Sequence, residues 1–388
     1  MTVRLKETAN LVTSCAASRT RPFVALEFLE TGTGRLVSDV ELLERTAPET
    51  GAASVEPGDV LFGKLRPYLA KTWLADRPVF ASTELLCLRP RASVDSRWLA
   101  YLVASNPVVE WAVATSDGTK MPRTSWEKLA EYRIDIPPTD EQRAIADYLD
   151  REIARIDALI EKKQRMLDLL RERRQALITE AVQGEIGPET VARGGGVKTV
   201  PLKRVVALTA GQSPPSADVM DSSGEGLPFL QGNAEFGRYH PQPLKRCDSA
   251  PRHARPQDIL VSIRAPVGAL NIADREYGIG RGLCAVCPVS IDQRFCWWLL
   301  HAAIPTLASM AVGSTYDAVT GEDVGSLPVP SWSEATQRAI ANYLDRETAR
   351  IDALVEKTDH QIELLREHRQ ALITVAVTGE LQIQGVAA

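Results

Sequence analysis

Two short runs bring basic and hydroxyl side chains close together. Lys64 and Arg66 stand in FGKLRPYL, and Lys120 and Arg123 stand in SDGTKMPRTSW beside Thr119, Thr124 and Ser125. Arginine and lysine match the acceptor edge of guanine in the DNA major groove, and asparagine and glutamine match adenine. Hydroxyls and amides mainly fix a protein on phosphates. Further along, Gln231, Asn233 and Arg238 lie in FLQGNAEFGRYH, Arg264 lies in ILVSIRAPV, and Ser314, Thr315 and Tyr316 follow Gly313. Taken singly, each is an ordinary surface residue. Their recurrence at matching places in two parts of the chain nominates Lys64, Arg66, Thr119, Lys120, Arg123, Ser125, Gln231, Asn233, Arg238, Arg264, Ser314, Thr315 and Tyr316 as DNA-binding candidates.

No catalytic constellation accompanies them. The sequence has no Gly-x-x-x-x-Gly-Lys-Ser/Thr loop, and Gly32-Thr33-Gly34 is only a turn signal. Pro214-Pro215 follows Ser213 and is not followed by an aromatic residue, so the usual adenine-methylating segment is missing. The five histidines suggest no Ser/His/Asp set. Cys284 and Cys287 have CxxC spacing, with Cys296 and His301 downstream, but a zinc site usually needs a second well-spaced pair. Leu283 and Val286 beside them fit a buried strand, so neither a metal nor a catalytic residue is expected in this chain. The six cysteines are scattered, which reads as reduced thiols and a cytoplasmic setting. MTVRLKETAN shows no secretory pattern, and no apolar run reaches the roughly 20 residues of a membrane span.

What must position the candidates is a repeat. Residues 142–186 and 337–381 are identical at 32 of 45 positions, without a gap, at an offset of 195. Both stretches space apolar residues by alternate threes and fours, as a coiled-coil seam does. The seam reads Ile145, Leu149, Ile156, Ile160, Leu167, Leu170 and Leu177 in the first copy. In the second it reads Ile340, Leu344, Ile351, Val355, Ile362, Leu365 and Leu372, with Lys163, Arg174, Thr348, Thr358 and Arg369 in polar slots. Pro137-Pro138 and Pro330 precede the helices, and Gly184 and Gly379 stand where they would stop. About 45 residues make a rod of roughly 65 Å. Its apolar stripe needs a partner, and the other copy is the obvious one.

The sequence between these copies repeats weakly. Pro57-Gly58-Asp59-Val60-Leu61 resembles Pro256-Gln257-Asp258-Ile259-Leu260, and Leu65-Arg66-Pro67 can be laid beside Ile263-Arg264-Ala265-Pro266, with Arg264 in the place of Arg66. These variable regions read as mixed α/β, with short strands at 60–62, 84–88 and 259–263 and short helices at 98–104 and 295–303. The 388 residues carry a net charge of −5, which excludes a protein that coats DNA by charge alone. Residues 1–133 hold 17 basic and 16 acidic side chains, and residues 197–330 hold 12 of each. The remaining segments hold 16 and 22, so the acidity belongs to the rods. The aromatic fraction of 6% gives little support for a platform that stacks single-stranded bases.

With these motifs the chain resembles the specificity subunit of type I restriction-modification systems. The resemblance lies in 137-PPTDEQRAI-145, Tyr148-Leu149-Asp150, 156-IDALIEK-162 and 174-RQALIT-179, and more weakly in 57-PGDVL-61 and 118-GTKMPR-123. It implies an α/β (mixed α+β) fold: two pseudo-symmetric target recognition domains, separated by two long helices packed as an antiparallel coiled coil. The boundaries would be 1–136 and 198–330 for the recognition domains. Residues 137–186 and 331–388 would be the spacer helices, with a linker at 187–197. It implies double-stranded DNA as ligand, read as a bipartite target, and two methyltransferase subunits as partners, with restriction/translocase subunits joining through the complex. S-adenosylmethionine, ATP and magnesium would sit on those partners, with no cofactor in this chain. The alternative is an orphan homologue acting as a non-catalytic adaptor or scaffold. The second copy departs from the motif at Ser331–Thr336 and has Tyr316-Asp317 where the first has Lys120-Met121.

Overall fold

The computed structural model describes residues 2–15, 21–37, 52–188, 197–221, 225–311 and 318–383. The chain forms two compact units. The first comprises Met1–Gln164 with Asp359–Ala388, and the second comprises Arg165–Thr358. Each unit therefore combines one variable region with a segment of each long helix.

In the first unit, Val60–Gly63 is buried at every position and lies inside a sheet ordered Ala9–Leu11, Leu85–Pro90, Val60–Gly63, Thr72–Leu74. An apolar run of four residues, with β-branched and aromatic members, suits a strand covered on both faces. A second sheet runs Ser14–Cys15, Ala52–Val55, Val79–Ala81, Phe23–Val24, its last pair parallel. In the second unit the sheet Val206–Ala210, Leu283–Pro288, Ile259–Ser262, Leu270–Ile272 repeats the first order. Its companion sheet also contains one parallel pair, Leu227–Leu230 with Tyr277–Ile279. The likeness extends to hydrogen bonds. Asp59 accepts from the Glu56 amide at 2.9 Å, and Asp258 accepts from the Arg255 amide at 2.8 Å. Gly58 and Gln257 hold the same left-handed turn, at φ 92° and 75°.

The long helices span Thr139–Gln183 and Glu334–Val377. Gly184 ends the first at φ 77°, and a Cβ there would also meet the Trp332 ring at 2.6 Å, so only glycine serves. Gly379 ends the second at φ 79°. Within the first unit, Lys163 Nζ donates to Gln361 at 2.7 Å, and Arg369 Nε donates to Asp157 at 3.1 Å. Partner numbers fall as helix numbers rise, so the segments are antiparallel. Ile145, Leu149, Ile153, Ile373 and Ala376 are buried there with Phe62 and Trp98. In the second unit Arg174 Nε donates to Asp352 at 2.7 Å and Trp332 Nε1 to Val182 at 3.0 Å, again antiparallel. Leu177, Ile340 and Leu344 are buried there with Val261 and Phe295.

Among the other seam candidates, Ile156, Leu167 and Ile362 are buried, and Ile160, Leu170, Ile351, Val355, Leu365 and Leu372 are half-buried. The polar slots are filled without stranding charge: Thr348 and Thr358 are buried and donate to the carbonyls of Leu344 and Leu354.

Two expectations need correction. The short helix expected at 98–104 begins at Ser96, because the Asp95 side chain accepts from the amides of Arg97 and Trp98 and caps it. The helix expected at 295–303 extends over Gln293–Met310, because its apolar face continues to the fully buried Leu307.

Candidate nucleic-acid interface

The first unit stitches its two basic runs together through the backbone. The Thr124 amide donates to Lys64 O at 3.0 Å and the Arg66 amide to Pro122 O at 2.8 Å. The loop between them closes where Asp117 and Arg123 exchange backbone bonds at 3.0 and 2.9 Å, with Gly118 at φ 88° making the turn. Thr119 and Lys120 are exposed at its tip. Lys64, Arg123 and Ser125 line one open cleft of about 260 Å³. Arg123 pairs with Glu84 at 2.7 Å, and half-buried Lys64 donates to Thr83 O at 2.7 Å. Burial, and then the charge of Arg123, hold the Lys64 ammonium below the usual lysine value, with Glu84 opposing. The second carboxylate oxygen of Glu84 and the Thr124 hydroxyl are buried without a hydrogen-bond partner among the described residues. Such groups cost about 1–3 kcal/mol unless a ligand or water meets them.

The second unit keeps the frame and changes the side chains. The Ile263 amide bonds Gly282 O at 2.9 Å, as the Lys64 amide bonds Glu84 O. The Val319 amide bonds Ile263 O at 2.9 Å, as the Thr124 amide bonds Lys64 O. Arg264 bridges Ala318 as Leu65 bridges Arg123. The register thus sets Ile263 against Lys64, Gly282 against Glu84 and Ala318 against Arg123. Arg264 matches Leu65 and not Arg66, because Pro266 falls opposite Pro67 and Ala265 opposite Arg66. The expected equivalence of Arg66 and Arg264 is corrected by one residue. Arg264 is exposed. Gln231 is exposed and donates to Ser213 Oγ at 3.0 Å, while Asn233 opens a short turn to Glu235. Arg238 turns to the long helix, pairing with Glu356 at 2.9 Å and lying 5.5 Å from the Tyr239 ring centre. Ser314, Thr315 and Tyr316 lie outside the described residues.

Apart from Arg174 and Arg369, read from sequence only as polar slots of the seam, the residues that fix each variable region and the helices together were not singled out from sequence. Gln142 is buried; its Oε1 accepts from the Asp95 amide at 2.8 Å and its Nε2 donates to Pro137 O at 2.9 Å. Gln337 repeats this with the Asp292 amide at 2.7 Å and Trp332 O at 3.0 Å. Tyr101 donates to Asp150 at 2.7 Å, and Trp298 Nε1 donates to Asp345 at 2.7 Å. Arg369–Asp157 and Arg174–Asp352 are duplicates at the same offset of 195, and so are Glu161 and Glu356, which pair with Arg35 and Arg238. Each helical member is identical in both copies, and Arg174 and Arg369 are polar where the seam would allow an apolar residue.

Cys284 and Cys296 are buried, and burial first raises their thiols to about 11 and about 12. Both are neutral side chains of the core. Among the described residues no group of three His, Cys, Asp or Glu side chains stands close enough to hold a metal ion, and no helix is long and apolar enough to cross a membrane.

A family model described as the type I restriction modification DNA specificity domain matches residues 18–168 and 195–364. The MjaX type I restriction enzyme specificity subunit of Methanocaldococcus jannaschii is 28% identical over 350 residues, 84% of this chain and 79% of that protein. A solved chain from work on complex assembly and conformational transition of the type I R-M system superposes with a TM-score of 0.75 at 28% identity, covering 98% of each chain. The crystal structure of the HsdS subunit from Thermoanaerobacter tengcongensis gives a TM-score of 0.52 at 29% identity, covering 98% of this chain and 97% of that one.

Proposed function

The chain belongs to the type I restriction modification DNA specificity family, and on that premise we propose that it reads a bipartite DNA target, one part through each variable region. Residues 1–136 and 198–330 act as the two recognition domains, and residues 137–186 and 331–388 as the spacer between them. The observation that carries this reading is the contrast between mount and reader. The mounts are duplicated side chain for side chain: Gln142 and Gln337, Asp150 and Asp345, Arg369–Asp157 and Arg174–Asp352. The candidate reading surface is not, since Lys64, Glu84 and Arg123 stand against Ile263, Gly282 and Ala318. Two frames of one design with unlike side chains suit two unlike half-sites.

The chain itself supplies recognition and no bond chemistry. The methyl donor, ATP and magnesium belong to partner subunits: two methyltransferase subunits, which it docks, and restriction/translocase subunits, which join through the complex. Its helices present leucines to solvent at duplicated positions, Leu159 with Leu354 and Leu169 with Leu364, and these are surfaces for the same subunit type used twice. The acidity of the rods leaves phosphate neutralisation largely to the partners.

The test is co-expression with methyltransferase subunits of a type I system, followed by mapping of methylated adenines. The expected result is one motif with two specified parts and an unread gap. Absence of any methylated motif that depends on this chain refutes the proposal.

A further inference from the structure

The first unit holds a half-open cavity of about 290 Å³ between its variable region and its helix segments, and nothing in the reading of DNA uses it. The second unit supplies an internal comparison. The caps Asp95 and Asp292 set Ala100, Tyr101 and Ala104 opposite Trp297, Trp298 and His301. In the second unit these rings pack together: Trp297 lies 4.6 Å from His301, edge to face, and Trp298 lies 5.5 Å from it. The Arg174 guanidinium sits 6.0 Å from the Trp298 ring centre. In the first unit the two alanines line the cavity instead, and Arg369, the duplicate of Arg174, turns to the loop carbonyls of Gly32 and Thr33. One unit fills this place with two tryptophans and a histidine; in the other Tyr101 holds the Trp298 place and the described residues leave the rest open.

We propose that this cavity is a binding site for a small, uncharged, planar heteroaromatic compound of one or two fused rings. An engineered apolar cavity of about 150 Å³ takes up benzene, so the space here admits a larger ring system. Ala100, Ala104, Ile153 and Ile373 supply apolar walls. The charged groups that line it are already paired: Arg97 with Asp150 at 2.8 Å, and Arg35 and Arg369 with Asp157 at 2.9 and 3.1 Å. A charged ligand would have to displace one of these bonds, whereas a neutral ring would not. The Tyr101 hydroxyl gives its proton to Asp150 at 2.7 Å, and its oxygen keeps a lone pair for a ring N–H. In the second unit Trp298 Nε1 donates to Asp345, the duplicate of Asp150, at 2.7 Å, the bond that the Tyr101 hydroxyl makes here. A ligand here would touch the loop at Gly32–Arg35 and both helix segments of the unit, and would brace one against the other.

Indole is the probe. The purified full chain is titrated with indole by calorimetry, beside A100W/A104H, which restores the rings of the second unit. A single substitution, A104L, is carried through the same titration in case the double variant does not fold. A third variant, W297A, alters only the second unit. The expected result is saturable one-site binding by the wild type and W297A, weakened at least tenfold in A100W/A104H or A104L, with a raised Tm of the filled protein in the absence of indole. No saturable binding by the wild type overturns the proposal. Equal binding by the filled variants overturns it, since the site is then elsewhere. Displacement of indole by a methyltransferase subunit also overturns it, because the cavity then belongs to an aromatic side chain of that partner.

Discussion

Replacing Arg369 with alanine tests how the first variable region is held to its helices, and the duplication provides the control. The Arg369 guanidinium donates to Asp157 at 3.1 Å and to the carbonyls of Gly32 and Thr33 at 2.6 Å each. Its side chain is 9% exposed and that of Asp157 12%. Removing one member of a buried pair costs about 3–5 kcal/mol, because the remaining charge is stranded. Arg35 stays 2.9 Å from Asp157 and relieves part of that cost, while the two carbonyls add about 1 kcal/mol each. The expected loss is about 3 kcal/mol. Arg174 makes the duplicate pair with Asp352 at 27% and 39% exposure, so Arg174→Ala should cost about 1 kcal/mol. Native-state hydrogen exchange resolves the two units separately. Arg369→Ala should lower protection of the first unit, with the amides at 28–37 losing most, and Arg174→Ala should lower that of the second unit less. Equal losses, or a smaller loss for Arg369→Ala, would refute the reasoning from burial and partner number.

Three further outcomes are expected. Burial, and secondly the charge of Arg174, hold the His301 imidazole down to about 4. The unfolded chain binds that proton below about pH 6.5 and the folded chain does not, so this stability is present above pH 6.5 and is lost as pH falls from 6.5 to 4. His301→Phe should remove that part of the pH dependence of urea unfolding, up to about 3 kcal/mol, and an unchanged slope would contradict it. Lys64→Ala should weaken DNA binding by the assembled complex and reduce the log–log salt slope by about 1. An unchanged slope would leave Lys64 only its bond to Thr83. Ile156 is 7% exposed, so Ile156→Asp buries an unpaired charge and should lower the Tm seen by far-UV circular dichroism by many degrees; an unaltered Tm would contradict the burial of that helix face.

The helices were readable because their periodicity is a local property. Pro137-Pro138, the alternating threes and fours and Gly184 all act within a few residues of the atoms they organise. The likeness of 57–61 to 256–260 was readable for the same reason, since Asp59 and Asp258 bond amides three residues back. The pairing of Arg66 with Arg264 failed because identity of residue type outweighed register. A strand is set by its ladder, and the ladder puts Ile263, not Arg264, after the last bonded position. Arg238 was read as a DNA-binding candidate; its ion-pair partner Glu356, 118 residues away in sequence, could not be read locally. The cavity was invisible because an alanine signals nothing by itself. Ala100 and Ala104 become informative only when tertiary alignment sets them against Trp297 and His301.

The account's central claim is that each variable region reads its own part of the target on a mount common to both. Replacing residues 1–136 with the corresponding region of another family member, followed by mapping of methylated adenines with the same methyltransferase subunits, tests it most directly. The account predicts that one half of the methylated motif changes while the other half stays as it was. A motif altered in both halves, or in neither, would contradict it.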